Sequence, residues 1–352
     1  MPINSYQDLT EKIIKKAIPL ECLFELTYKC NLKCIHCYII RQRKKELDTK
    51  EVYSILKQLK EAGCIYLTLS GGEVFLRKDF FTIAAYIRKF NFAVSILSNG
   101  TLIDEKIVGI IETLHPISVE VSLYGLKDTH EKITRVKGSF DNTIKAIRLL
   151  IKKGIRVIVK TTLMRQNAAD LPRLYRFVKG KGYAERKGRL SVEGGAFISP
   201  RANKETTPLN YRADNQQIKD YMKQIIGMRG DFNKLPKPSE PKENDIFCAA
   251  GLTKCAISAY GQLNPCVQIR LKGNNDLRQN TFIEIWKDNE EINKMRALHF
   301  KDRVDCRGCS LVSYCFFCPA IALLERGSLT AMLPEFCRQA KIKKEIYENI
   351  YK

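Results

Sequence analysis

No apolar run in the 352 residues approaches the roughly 18 needed to span a bilayer. The longest, around Val157–Val159 and Ala320–Leu324, fall far short, so no membrane contact is expected. Proline (12) and glycine (20) are too scarce for a collagen-like or low-complexity chain, and 45% hydrophobic residues exclude wholesale disorder. Acidic residues are in deficit: 38 Asp and Glu face 60 Lys and Arg, a formal net charge of +22. Such an excess raises nucleic acid or an acidic partner. The cations are spread along the chain, with bursts only at Arg41–Lys45 and Lys341–Lys344, which reads as a solvated surface rather than a nucleic-acid face. Thiolates bound to metal would also return negative charge. The N-terminal stretch lacks an unbroken apolar segment and a small-residue cleavage site, so the cytoplasm is the expected location.

The length suggests about two domains at ~150 residues each. After a lead helix near Tyr6–Lys16, strand and helix signals alternate: strands at Leu20–Leu26, Ile65–Leu69, Ala93–Leu97, Ile117–Leu123, Arg156–Leu163 and Leu190–Glu193, helices at Lys50–Ala62, Phe80–Phe90, Ile103–Leu114, Ser139–Lys153 and Leu171–Lys179. About six β/α units of this kind predict an α/β fold, a partial (β/α)6 TIM-type barrel whose chemistry collects at the C-terminal ends of the strands. The expected division is a lead at 1–19, the barrel at 20–214, a linker with one helix near Asn215–Met228 at 215–244, and a smaller cysteine-rich domain at 245–352 with helical signals at Thr281–His299 and Pro334–Ile350. Glu193, at a strand end, reads as a satisfied structural carboxylate.

Cysteine is what the chain has in plenty, thirteen of them, and without an export signal they do not read as a disulfide framework. Cys22 and Cys64 stand apart and read as small buried hydrophobes. Cys30, Cys34 and Cys37 form a C-x3-C-x2-C loop directly after the first strand. Three thiolates on one short loop can hold three corners of a cubane iron–sulfur cluster and leave the fourth iron open. A structural zinc site is the alternative, but His36 sits awkwardly between two of the cysteines to close it. In the tail, Cys248, Cys255 and Cys266 precede Cys306-x2-Cys309-x5-Cys315-x2-Cys318 and Cys337, eight thiols in all, with a pair of zinc ribbons as the alternative.

The loop TYKCNLKCIHCY, with Tyr38 closing it, resembles the radical S-adenosylmethionine (radical SAM) superfamily, and the resemblance runs the length of the chain. It implies a [4Fe–4S] cluster on Cys30, Cys34 and Cys37 whose open iron takes S-adenosylmethionine. Gly71-Gly72-Glu73 is similar to the family's GGE motif at the SAM amino group, Ser98-Asn99-Gly100 to its TNG turn, and Ser122 and Arg135, flanking His130, to positions near the ribose and carboxylate. Val74 and Tyr124 depart from the proline and aspartate usual there. The tail resembles the SPASM domain, implying two auxiliary [4Fe–4S] clusters, one on Cys248, Cys255, Cys266 and Cys318, the other on Cys306, Cys309, Cys315 and Cys337. One residue fewer than usual separates Cys315 from Cys318, which puts Cys318 in question.

The resemblance implies a radical SAM oxidoreductase of the peptide-maturase type, one that abstracts hydrogen from a ribosomally made peptide and leaves a cross-link or an oxidised residue. Within the class, a sulfatase-type formylglycine maturase, a quinone-cofactor maturase and a haem-biosynthesis enzyme compete; outside it, a zinc-binding nucleic-acid module and an electron-transfer protein. The implied partners are a peptide or protein substrate, acidic if the basic surface reads it, a separate leader-binding protein, and flavodoxin or ferredoxin as electron donor. No catalytic acid or base is identified.

Overall fold

The computed structural model of the chain describes residues 6–180, 189–228 and 239–350. Part of the expected lead (1–5) and of the expected linker (229–238) lies outside the described residues. Six parallel strands follow one another across the sheet: β1 (Glu21–Thr27), β2 (Tyr66–Gly71), β3 (Ala93–Ser98), β4 (Ser118–Ser122), β5 (Val157–Thr162) and β6 (Leu190–Gly195). Helices α2 (Thr49–Glu61), α3 (Phe80–Arg88), α4 (Glu105–Thr113), α5 (Lys127–Thr134), α6 (Ser139–Lys152) and α7 (Leu171–Lys179) intervene, after α1 (Tyr6–Lys15). The expected α/β architecture is present. Its local causes are legible: Asp48 caps α2 in a reciprocal box with Glu51, Asp104 caps α4, and Leu56, Leu59, Ile83 and Ile87 bury one stripe of each helix against the sheet.

Two features were not foreseen. The eight-residue helix α5 has few apolar positions to betray it, and holds its place by burying His130, Ile133 and Thr134. The second concerns the tail, whose strand β7 (Lys254–Ile257) pairs in parallel with β1, then β8 (Leu263–Asn264) in antiparallel with β7, so one eight-stranded sheet runs β6-β5-β4-β3-β2-β1-β7-β8. A boundary at residue 245 therefore divides the chain but not the sheet. The Thr281–His299 signal splits into α9 (Phe282–Asp288) and α10 (Glu290–Arg296), because Asn289 is extended and caps the second helix. Helices α8 (Asn215–Met228), α11 (Pro319–Arg326) and α12 (Pro334–Ile350) complete the described elements. Arg212 against Glu325 and Lys219 against Glu345 (3.1 Å) tie the segment after β6 to the tail. Among the described residues no helix is long and apolar enough to cross a membrane.

Candidate active site

Within the barrel, the strand ends bring the sequence-predicted turns to one cavity of about 730 Å³. Cys30, Cys34 and Cys37 line it, as do Tyr38, Gly71, Gly72, Ser98, Asn99, Ser122 and Arg135. The cysteine loop is fastened at both sides. Lys33 and Ile35 donate backbone hydrogen bonds to Thr134 and Ile133 at the end of α5 (3.0 and 3.1 Å), while Asn31 and Asn99 share a side-chain hydrogen bond of 2.9 Å. Arg135 follows α5 in the left-handed region (φ 56°), a costly conformation for a non-glycine residue, on the cavity wall.

The two glycines after β2 owe their identity to β1. A Cβ on Gly71 would lie 2.1 Å from the Thr27 carbonyl oxygen, at φ +139°, and one on Gly72 would lie 2.3 Å from that of Lys29. Gly72 and Glu73 donate backbone hydrogen bonds to those same carbonyls (2.7 and 2.8 Å). Gly71→Ala is therefore expected to cost about 3 kcal/mol through strain and clash, read as a fall in melting temperature together with lost SAM cleavage.

Glu73 does not line the cavity. It is buried behind the wall, and its carboxylate accepts from the Ser98 hydroxyl (2.8 Å), the Asn99 amide (2.7 Å) and the Phe75 amide (3.3 Å). Burial pushes its carboxyl up to about 7 against those three donors. Its role in the geometry is to fix the second and third turns against each other. Tyr38 is fixed in a similar way: its hydroxyl donates to Glu25 (2.9 Å), which also accepts from Tyr28 (2.6 Å) and from Arg270 of the tail (3.0 Å).

The sulfurs are chemically suited to a cluster. The Leu32 amide (3.4 Å) and the Asn99 side-chain amide (3.8 Å) face the Cys30 sulfur, the kind of donor that stabilises a ligating thiolate. Burial, reinforced by Cys37 and Cys30, pushes the Cys34 thiol up to about 12, so metal binding must expel protons here. Among the described residues no three His, Cys, Asp or Glu side chains are arranged to hold a single metal ion. Around the thiols the cavity presents Lys33, Arg41, Arg135 and Arg201, with no carboxylate on its described wall. Arg201 lies beyond β6, outside any motif, and was missed from the sequence. Tyr124, where the family's aspartate is usual, packs edge-on to His36 at 4.6 Å between ring centroids.

In the tail, Cys306, Cys309, Cys315 and Cys337 line one small cavity, as grouped from the sequence. Arg303, also missed, is buried among them, donates to the Cys306 sulfur (3.2 Å) and stacks 3.9 Å from the centre of the Phe317 ring. A buried guanidinium beside four thiolates offsets their charge. Arg303→Met is expected to shift the reduction potential of whatever these thiols hold to more negative values, measured by redox titration of the visible or EPR signal. Burial first, then the neighbouring Cys318 and Cys248, push the Cys266 thiol up to about 11. Cys255, expected with them, sits on β7 opposite Cys22 of β1, at 4% exposure in the core. Glu193 is paired with Lys160 at 2.6 Å, beside Glu120.

A three-cysteine loop after the first strand, strand-end turns around one basic cavity and a cysteine-rich tail thus stand together in this fold. The Radical SAM superfamily matches residues 24–178, and SPASM, the iron–sulfur cluster-binding domain, matches 248–310, together more than half of the chain. Residues 24–178 thus form a radical SAM domain and residues 248–310 a SPASM domain, and the two imply [4Fe–4S] clusters and S-adenosylmethionine. It is similar to the Fe-coproporphyrin III synthase of Methanosarcina barkeri (33% identity over 44% of this chain and 39% of that protein). It also resembles the antilisterial bacteriocin subtilosin biosynthesis protein AlbA of Bacillus subtilis (27%; 71% and 55%) and an AdoMet-dependent heme synthase of Methanosarcina barkeri (26%; 86% and 92%). The chain thus spans about two-fifths to just over half of the first two relatives. Streptococcus suis SuiB bound to S-adenosylmethionine shares its fold, with a TM-score of 0.71 at 20% identity over 96% of this chain and 83% of that one.

Proposed function

We propose that the protein is a radical SAM oxidoreductase that modifies a peptide, abstracting hydrogen from a side chain or Cα and leaving a cross-link or an oxidised residue. The observation that carries it is the basic cavity on which the three thiols and the strand-end turns converge. The cluster expected on Cys30, Cys34 and Cys37 supplies, when bound, the electron that cleaves S-adenosylmethionine to a 5′-deoxyadenosyl radical. In this reading the Gly71-Gly72 backbone and Arg135 receive the amino and carboxylate groups of SAM, Ser122 its ribose, and Ser98, Asn99 and Tyr38 the rest of the nucleoside wall. Guanidinium against carboxylate is strong, geometrically matched pairing. Lys33, Arg41 and Arg201 extend the positive wall toward the substrate, which with a formal charge of +22 favours an acidic peptide.

The part of AlbA in subtilosin biosynthesis and the structure of SuiB with a precursor peptide support this class of substrate. A cytoplasmic location, a separate leader-binding protein and a flavodoxin or ferredoxin donor belong to the same reading. Anaerobic co-expression with each short reading frame beside the gene, followed by mass spectrometry, tests it: loss of two hydrogens, localised by fragmentation, is the expected result. Haem biosynthesis is the second reading, favoured by the near full-length match to the heme synthase. Unchanged peptides together with a mass change in an added iron porphyrin would replace the first reading by the second.

A further inference from the structure

Away from the thiols, the ends of α1 and α2 and the helix α9 enclose a groove of about 360 Å³. Its floor is apolar: Ala17 and Ile18 from the link into β1, Ala62 from the end of α2, and Ile283 and Trp286 from α9. The Trp286 indole donates to the Ala17 carbonyl (2.6 Å) and the Phe282 amide to the Gln58 side chain (2.7 Å), so the tail holds this wall against the barrel. Ile283 stays exposed at the edge. Lys16, Lys287 and Arg296 stand around the floor, against one carboxylate on the described lining, Glu61, which Lys57 already meets at 3.8 Å.

We propose that this groove docks an acidic segment of the peptide substrate, with carboxylates against the three cations and an apolar side chain on Ile18, Ile283 and Trp286, apart from the cavity where the peptide is modified. The inference deepens the function proposed above and rests on it. Charge carries the first part of the argument. Arg77, Arg212, Arg270 and Arg338, each partly buried, all meet a carboxylate. Arg296 is also partly buried and meets none among the described residues. Its guanidinium donates to the Gly251 and Trp286 carbonyls and to the Asn293 side chain, each at 2.6 Å, and lies 4.6 Å from the centre of the Trp286 ring. Those neutral partners fix its direction without cancelling its charge. Burial loosens its hold on a proton, a penalty that an arriving carboxylate relieves. Lys16 and Lys287 are exposed and, among the described residues, form no ion pair.

An apolar centre with a charged rim, carrying Trp and Arg, is the make-up of a protein-recognition surface. An acidic peptide matches its sign, and the formal charge of +22 steers such a ligand toward the molecule. Position carries the second part of the argument. Ala17 and Ala62 lie just ahead of β1 and β2, whereas Cys30 and Gly71 lie at or beyond the far ends of the same strands. The groove therefore opens on the face of the barrel opposite the thiol cavity. The seven residues of β1 set the two faces roughly 20 Å apart, so a docked peptide needs about six or more extended residues to reach from one to the other. Recognition is thereby separated from the residue that reacts.

The test is fluorescence anisotropy of the full-length protein with a labelled synthetic peptide, Glu-Glu-Leu-Phe-Glu-Glu, and with its counterpart bearing Gln for each Glu. Saturable binding of the acidic peptide alone is expected, weakening as salt rises. Lys16→Glu combined with Lys287→Glu should weaken it about tenfold, and Ile283→Ser should weaken it as well, with the melting temperature unchanged because all three side chains are exposed. Arg41→Glu with Arg201→Glu, on the thiol cavity, should leave the binding in place. No saturable binding, equal binding of the Gln peptide, binding untouched by the groove variants, or loss only in the cavity variants overturns the inference alone. So does a dimer in sedimentation that Ile283→Ser dissolves, which assigns the groove to a second copy of the chain. If the groove variants weaken binding but every co-expressed reading frame stays unmodified, the peptide-modifying reading falls, and the occupant's assignment as substrate falls with it.

Discussion

Replacing Cys30, Cys34 and Cys37 together by Ala is expected to abolish reductive cleavage of S-adenosylmethionine and to remove about four of roughly twelve irons per chain. Anaerobic iron analysis and chromatography of 5′-deoxyadenosine measure both. The expectation of a complete loss follows from convergence. These three thiols line one cavity, whereas Cys22, on β1, and Cys64, just before β2, are buried in the core. The fold should survive the change, because the loop is also held by the backbone bonds of Lys33 and Ile35 and by Asn31 with Asn99. Undiminished cleavage by the triple variant would refute the site.

Glu25→Ala is expected to be the most destabilising single substitution of a polar residue in the barrel. Glu25 is fully buried, accepts hydrogen bonds from Tyr28 and Tyr38, and pairs with Arg270 at 3.0 Å. Removing it leaves a guanidinium that already has one unpartnered buried nitrogen facing two orphaned phenols. Breaking such a buried pair from one side costs about 3–5 kcal/mol, which for a chain of this size lowers the melting temperature by roughly 10 °C. Glu25→Gln keeps acceptors for one tyrosine and should lose less. The double variant Glu25→Leu with Arg270→Met removes the stranded charge and should recover most of the loss, since the penalty is desolvation rather than missing attraction. If the double variant melts as low as Glu25→Ala, the loss comes from packing instead. Because Arg270 belongs to the tail and Tyr38 to the cysteine loop, Glu25→Ala should also lower SAM cleavage, through a displaced wall.

Much of this was written in local chemistry. The C-x3-C-x2-C spacing, the four successive strand-end turns and the C-x2-C-x5-C-x2-C run are short-range patterns, and alternating apolar periods gave six β/α units within a few residues of their ends. The four-thiol set with Cys337 came only from the resemblance, since Cys337 stands outside the short-range run. Helix α5 was not, because its place is decided by three buried residues and not by a periodic stripe. Glu73 was legible as part of a motif, but not its burial behind the wall. Arg201 and Arg303 belong to no motif and became visible only as cations facing thiols and cavity.

The sequence by itself determined the class of chemistry, because metal-ligand spacing and strand-end glycines act within a few residues of one another. Only the tertiary structure decided which cysteines meet. Cys255, seven residues from Cys248, is placed beside Cys22 by the pairing of β7 with β1. Strand register is fixed by partners far away in the chain, and it alone chooses the face on which a side chain points.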